Sequence, residues 1–326
     1  MSTAVVSSSS AAAPIPVVVV GVGHLGKIHA RIYAELPEAR LVGVVDTDAA
    51  NARAVGEKFN VRHATSVEPF LAEAAAFSVV VPTKYHHVVT RPLLEAGKHV
   101  LLEKPMALNL EQARELHALS GARNAIMQIG HVERFNPAVL GARALVKDPR
   151  FMEVHRLGPF PERATDVGVT LDLMIHDIDL CLSLVGKPVV DVRATGAKLL
   201  TAYEDIANAR LEFEGGCVAN LTASRLTLSR MRKLRLFQPD AYISMDCLKQ
   251  SYAVFEKKVP EPKSLKDIQM KRPRVKKGEP LKEELRHFLG CVAAGRAPTV
   301  GAKEGADALA VALRIVEQIQ RGGNFV

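Results

Sequence analysis

From residue 16 to about 128 the chain alternates short apolar runs with amphipathic stretches. The runs Val17–Gly21, Leu41–Asp46, Val61–Ala64, Ser78–Val81, His99–Leu102 and Ala125–Ile129 predict strands. Two of them, VVVV and SVVV, lack the alternation of a half-wet strand, as expected for strands covered on both faces. Between the runs, apolar positions return at helical spacing. Gly97 reads as a helix stop, and Asn109 with Gln112 as a capping box at the next start. Six strands with intervening helices predict an α/β domain built on a doubly wound parallel sheet.

After about Pro137 the pattern changes. Leu171–Val185 has the spacing of a helix, and Val190–Leu199, Ile206–Phe213, Cys217–Ser224, Lys233–Phe237 and Tyr252–Phe255 follow as strand candidates. Consecutive strands with a Gly-rich turn at 214–216 predict an antiparallel sheet, and helical patterns at about Leu281–Ala294 and Lys303–Ile319 close the chain. The expected division is a tail over 1–15, a doubly wound α/β domain over 16–137 and an α+β domain over 138–326.

Composition narrows the class. The chain has 326 residues, 48% of them hydrophobic and 24% charged, which is ordinary for a globular protein with a sizeable core. Its four cysteines (Cys181, Cys217, Cys247, Cys291) form no CxxC pair, which argues against a disulfide scaffold or zinc ribbon and suits the cytoplasm. No apolar run approaches the roughly 20 residues needed to span a bilayer. The Ser/Ala-rich opening lacks a basic n-region, so it reads as a disordered tail rather than a signal peptide. The net charge of +8 is uneven: residues 1–125 hold 12 basic and 11 acidic side chains, whereas 256–282 hold 10 and 4. That basic segment has no interleaved aromatics, so a solvated loop or a guide for an anionic substrate fits it better than a nucleic-acid reader.

Three groups of residues carry chemistry. Gly21, Gly23, His24, Leu25 and Gly26 belong to a GxGxxG turn between the first strand and a helix, and Asp46 ends the second strand twenty residues after Gly26. Gly21 permits the turn, Gly23 lets the backbone approach a pyrophosphate, and Gly26 lets helix and strand pack closely. The diphosphate would sit on the helix N-terminus, and Asp46 would accept hydrogen bonds from the adenosine ribose. A carboxylate there repels a 2′-phosphate, and neither Thr47 nor Asp48 supplies a compensating cation, so the expected cofactor is NAD rather than NADP. The alternative is a glycine-rich turn without a ligand.

Lys104 follows the fifth strand, where open α/β sheets bind their ligands, and Pro105 restricts its backbone. The alternative is a solvent-facing loop lysine. On the Leu171–Val185 helix, Leu171, Ile175, Ile178 and Leu182 form an apolar stripe with Asp172, His176 and Asp179 along its edge. Buried carboxylates are costly unless paired, and Asp172 and His176, at i and i+4, can touch. Such a pair orients an imidazole to act as general base on an alcohol. A structural Asp–His pair is one alternative. A metal site is another, but no third ligand is evident, although His86, His87 and His131 are available.

Taken together, these motifs resemble the glucose–fructose oxidoreductase/inositol dehydrogenase (Gfo/Idh/MocA) superfamily, from about Pro16 to the C-terminus. The resemblance rests on the GxGxxG turn, Val81-Pro82-Thr83 followed by His86, Glu103-Lys104-Pro105, Asp172-x-x-x-His176, and the closing Glu279-Pro280-Leu281 and Gly295-Arg296-Ala297-Pro298. It implies a Rossmann domain plus an open-faced antiparallel sheet through which copies form a homo-oligomer. It also implies Lys104, Asp172 and His176 as catalytic residues, Pro82, Thr83, His86 and Glu103 at the cofactor, and an often cis Lys104–Pro105 bond. Gly130–Pro137 and Leu171–Asp177 resemble sugar-nucleotide dehydrogenases, in pattern those oxidising C3 of UDP-N-acetylglucosamine ahead of an aminotransferase in lipopolysaccharide biosynthesis. Met174 and Val169-Thr170 stand where many members have glycine. Arg134 and Asn136 are candidate substrate or cofactor contacts. The rival expectations are an inositol or free-sugar dehydrogenase and a non-catalytic NAD-binding regulator.

Overall fold

The computed structural model describes residues 13–160 and 167–322; of the expected tail, residues 1–12 lie outside them. The first lobe contains β1 (Ile15–Val20), α1 (His24–Glu35), β2 (Ala39–Val45), α2 (Ala49–Phe59), β3 (Arg62–Ala64), β4 (Ala76–Val79), α3 (His86–Glu95), β5 (His99–Leu102), α4 (Leu110–Ala122) and β6 (Met127–Ile129). The strands pair in parallel in the order β3-β2-β1-β4-β5-β6, a doubly wound Rossmann sheet. Because helices cover both faces, alternate residues of β1 enter opposite cores: Val17 and Val19 pack with Ile32 and Tyr33, Val18 and Val20 with Phe77 and Leu102.

The second lobe comprises α5 (Pro137–Arg143), β7 (Phe151–Leu157), a π-helical turn (Thr170–Met174) running into α6 (Ile175–Val185), and β8 (Val189–Ala197), β9 (Ile206–Phe213), β10 (Val218–Ser224), β11 (Met231–Gln238), β12 (Ala241–Asp246), β13 (Ser251–Lys257) and β14 (Ile268–Lys271). Their order is β14-β13-β12-β11-β7-β10-β9-β8. The sheet is mixed rather than purely antiparallel, because β7 runs parallel to β10. Ile175, Ile178 and Cys181 of α6 bury against Leu211, Leu221 and Leu234 on one sheet face. The other face carries a run of aromatic neighbours, Phe151, Phe237, Tyr242 and Phe255, with ring centroids 4.6–5.8 Å apart.

Two expectations need correction. The closing helices α7 (Pro280–Ala294) and α8 (Ala302–Arg321) do not belong to the second lobe alone. Leu285, Phe288 and Leu289 of α7 complete the Rossmann core around Val17 and Val19, while α8 places Leu309 in the first lobe and Val311 and Ile315 in the second. The basic segment 256–282 is likewise not a bare loop. It contains β14, whose Lys271 pairs with Glu256 of the neighbouring strand. Cations on an edge strand discourage further strand pairing.

Candidate active site in the cleft between the lobes

The GxGxxG turn is built by close approach. Gly21 has φ +85°, and a Cβ there would lie 2.7 Å from the carbonyl oxygen of Val80. A Cβ on Gly26 would strike the Gly21 carbonyl, so α1 starts hard against β1. Gly23 differs: a Cβ there would meet nothing within 4 Å. As the N-cap of α1 it has no side chain to satisfy the first turn, and no acidic residue occupies that turn, where His24 and Leu25 open the helix. Unsatisfied N–H groups and the positive end of the dipole suit an anion. Asp46, just past β2, accepts from the Val22 N–H (2.9 Å), the Asp48 N–H (3.0 Å) and Asn51 Nδ2 (2.9 Å). These bonds fix a carboxylate beside the glycine turn. The residues fit a dinucleotide.

Of the other expected cofactor contacts, Pro82 and Thr83 begin a short 3-10 turn beyond β4. His86 is committed elsewhere. It is 1% exposed, with Nδ1 at 2.7 Å from the Pro105 carbonyl and Nε2 at 2.9 Å from the Val81 carbonyl, so it straps two loops together instead of facing a ligand. Glu103 is also turned inward. Its carboxylate lies 3.3 Å from His29 Nε2 and accepts from the Lys104 N–H, and a Cβ on Gly130 would collide with it. Burial alone would raise the Glu103 pKa. The His29 hydrogen bond, with the charges of His29, Lys104 and His86, outweighs that and holds it below the ordinary value.

Lys104 emerges past β5, with a cis bond to Pro105, and crosses to the second lobe. Its ammonium donates to the Asp172 carboxylate (3.0 Å) and to the Asp172 carbonyl (2.7 Å). This corrects the expected Asp172–His176 pair. Asp172 lies in the π-helical turn, where Ile175 N–H donates to the Thr170 carbonyl five residues back. That wider turn takes Asp172 off the i, i+4 line of an α-helix and onto the lysine. The Lys104 charge holds the Asp172 carboxyl below the usual range, against its burial.

His176 stands at the start of α6, 9% exposed. Its Nδ1 is buried and without a hydrogen-bond partner among the described residues, so Nε2 is the nitrogen that reaches the cleft. Burial first, then the charges of Lys104, Arg156, His131 and Arg232, push its pKa well below the usual 6.5. A neutral imidazole beside an ammonium can take a proton from an alcohol while the ammonium stabilises the resulting oxygen.

Arg134 and Asn136 serve the framework rather than a ligand. Arg134 grips Asp179 with two bonds (2.6 and 3.0 Å), and Asn136 caps α5 at Ala138 N–H while donating to Glu133 and to the Cys247 carbonyl. Beneath His176, Arg156 of β7 bridges Asp177 (2.7 and 2.9 Å) and Glu133 (2.9 Å), which also meets Arg232. The sequence offered one signal for this network. Along β7 the inward positions read Met152, Val154, Arg156, and an arginine in an apolar alternation requires a buried partner. Of the available histidines, His87 pairs with Glu115 at the surface, whereas His131 packs against His176. Among the described residues no group of three or more His, Cys, Asp or Glu could hold a metal, and no helix is long and apolar enough to cross a membrane.

Known proteins share this architecture. The family model for the GFO/IDH/MocA oxidoreductase family with an NAD-binding Rossmann fold matches residues 15–131, and the model for its C-terminal domain matches 139–242. UDP-N-acetylglucosamine 3-dehydrogenase of Acidithiobacillus ferrooxidans is 37% identical over 298 residues, covering 91% of this chain and 95% of that protein. Its crystal structure superposes with a TM-score of 0.89 over 94% of this chain and 98% of that one. Inositol 2-dehydrogenase of Rhizobium meliloti is 30% identical over 55% of this chain and 58% of that protein. Levoglucosan dehydrogenase in complex with NADH, 16% identical, shares the fold over 94% of this chain and 97% of that one at a TM-score of 0.85. The chain belongs to the GFO/IDH/MocA family of oxidoreductases and binds NAD through its Rossmann domain.

Proposed function

We propose that the protein oxidises a sugar hydroxyl with NAD, and that its substrate is a UDP-N-acetylhexosamine converted to the 3-keto sugar nucleotide. The observation that carries the chemistry is the meeting of Lys104, from the nucleotide lobe, with the turn that leads into His176. When bound, NAD supplies the hydride acceptor. His176 Nε2 removes the hydroxyl proton, and Lys104 holds the oxygen as its negative charge develops. Asp172 fixes the ammonium and is a positioning residue for it. The 37% identity to UDP-N-acetylglucosamine 3-dehydrogenase over 91% of this chain supports the substrate; the inositol dehydrogenases it also resembles are 24–32% identical. A 3-keto product suits a following aminotransferase, and four buried free cysteines suit the reducing cytoplasm. Following absorbance of the reduced nicotinamide with a panel of UDP-sugars and cyclitols tests the reading. Turnover of inositol with none of any UDP-sugar would overturn the substrate assignment.

Asp46 sets the choice of cofactor in this reading. Asp46→Ala is expected to weaken NAD binding about ten- to a hundredfold, the range of a charged hydrogen bond worth about 1.5–3 kcal/mol. Relief of charge repulsion should tighten NADP binding at the same time. Isothermal titration calorimetry with both cofactors measures the two effects, and unchanged selectivity would remove Asp46 from the site.

The aromatic run on the open sheet face supports oligomerisation through that face. Phe237, 38% exposed, lies between Phe151 and Tyr242. Phe237→Glu is expected to shift the assembly toward a smaller species in light scattering, because a carboxylate would be buried among rings. An unaltered mass would place the interface elsewhere.

A further inference from the structure

Two guanidinium groups stand side by side beneath the base, and only one of them is fully used. In the ladder between β11 and β7, Arg232 lies directly opposite Arg156. Residues two apart on a strand share a face, so Arg232 projects with Leu234 and Leu236 toward the side that α6 covers. Like charges opposite one another on a sheet are destabilising unless each meets an anion. Arg156 is buried and meets two: Asp177 with Nε and Nη2, and Glu133 with Nη1. Arg232 has one contact, from Nη1 to Glu133 Oε1 at 3.3 Å, and Arg156 already donates to that oxygen at 2.9 Å. Its Nε and Nη2 have no partner among the described residues, and its side chain is 43% exposed.

The neighbouring arginines are spent. Arg134 is closed on Asp179, and Arg225 on Asp205, Thr201 and the Val167 carbonyl. Because Arg156 holds Asp177, the residue after His176, its cross-strand neighbour Arg232 borders the first turn of α6. The Arg232 charge is among those that lower the His176 pKa, as a cation near the base must. Arg232 belongs to the second lobe, whereas the diphosphate of the cofactor belongs at the glycine turn of the first. A half-exposed guanidinium with two free donors suits an oxyanion carried by the substrate, because its planar fork matches two phosphate or carboxylate oxygens.

We propose that Arg232 is a specificity-determining residue, binding the anomeric diphosphate of the sugar nucleotide through its free Nε and Nη2 edge. The inference rests on the oxidation of a sugar nucleotide proposed above. In a UDP-N-acetylhexosamine the diphosphate is attached at C1, two carbons from the C3 hydroxyl. One molecule thus offers its hydroxyl to His176 and its anion to Arg232, while Glu133 braces the guanidinium from behind through Nη1. A cyclitol carries no anion and leaves the fork unmet, so the same residue selects sugar nucleotides over inositols.

Calorimetric titration of the NAD-loaded protein with UDP isolates this contact from the chemical step. Arg232→Gln is expected to weaken UDP binding about 10- to 100-fold, the worth of a charge-assisted pair of hydrogen bonds. KM for UDP-N-acetylglucosamine should rise in proportion, with kcat and NAD affinity little changed. Equal UDP affinity in wild type and variant would overturn the proposal, as would a loss of kcat at unchanged KM, the mark of a purely structural ion pair. UDP affinity unchanged while UDP-N-acetylglucosaminuronate binds more weakly would assign the fork to a sugar carboxylate and overturn the diphosphate. If the Gln variant does not fold, phenylglyoxal labelling of the native protein decides. UDP should protect Arg232 in the peptide mass spectrum, and labelling at the same rate with and without UDP would overturn the assignment. A wild type that binds no UDP would defeat the sugar-nucleotide reading together with this one, whereas equal binding by both proteins defeats Arg232 alone.

Discussion

Replacing His176 with alanine is expected to lower kcat by about 10²–10⁴-fold, the usual worth of a positioned general base, with NAD affinity unchanged. His176 stands on α6 of the second lobe, away from the glycine turn that would hold the diphosphate, so the loss should be confined to the chemical step. Lys104→Ala is expected to cost about 10²–10³-fold by removing the donor to the developing oxyanion, with kcat falling more than KM rises. The pH profile gives a separate check. Because burial and the neighbouring cations depress the His176 pKa, the base stays neutral as pH falls through 6.5, and the acid limb of kcat/KM should lie below that value. Rapid-mixing kinetics and cofactor titration of both variants supply the measurements. Normal turnover in both would refute the site.

The second large effect concerns stability. Arg156→Ala should destabilise the protein by about 3–5 kcal/mol, since it strands the buried Asp177 carboxylate and takes from Glu133 one of its two arginine partners. Both Asp177 and Glu133 are under 5% exposed, and burial pushes the Asp177 pKa up even with the guanidinium in place. At roughly 2–4 °C per kcal/mol for a protein of this order of size, Tm should fall by about 10 °C. Calorimetry measures it, and combining Arg156→Met with Asp177→Leu should restore part of the loss. A Tm within a degree of the wild type would show that the carboxylates find other partners.

The Rossmann sheet was legible because its strands are covered on both faces and therefore read as unbroken apolar runs. The glycine turn and Asp46 followed from the same local pattern. The second sheet was less legible. The inward face of β7 carries Arg156 among apolar residues, β12 is only six residues long, and β14 lies within a run of lysines and arginines, so none shows a clean alternation. At the site, Lys104, Asp172 and His176 could be picked out by residue type and spacing, but not who bonds to whom. That depends on one π-helical turn, which no periodicity announces, and it moved Asp172 from the imidazole to the ammonium. The duties of His86, Arg134 and Asn136 were hidden for another reason. Their partners, Val81 and Pro105, Asp179, Glu133 and Cys247, are set by tertiary packing rather than by spacing.

The return of α7 to the nucleotide lobe bears on how the polypeptide can be divided. Leu285, Phe288 and Leu289 shield the Val17 and Val19 side of the first sheet. A fragment ending near residue 137 would leave that side wet, with an apolar surface inviting aggregation. The amino-terminal half is therefore not a portable dinucleotide-binding module: its last layer is made some 150 residues later, and a nascent chain must extend past Leu289 before the first lobe can close.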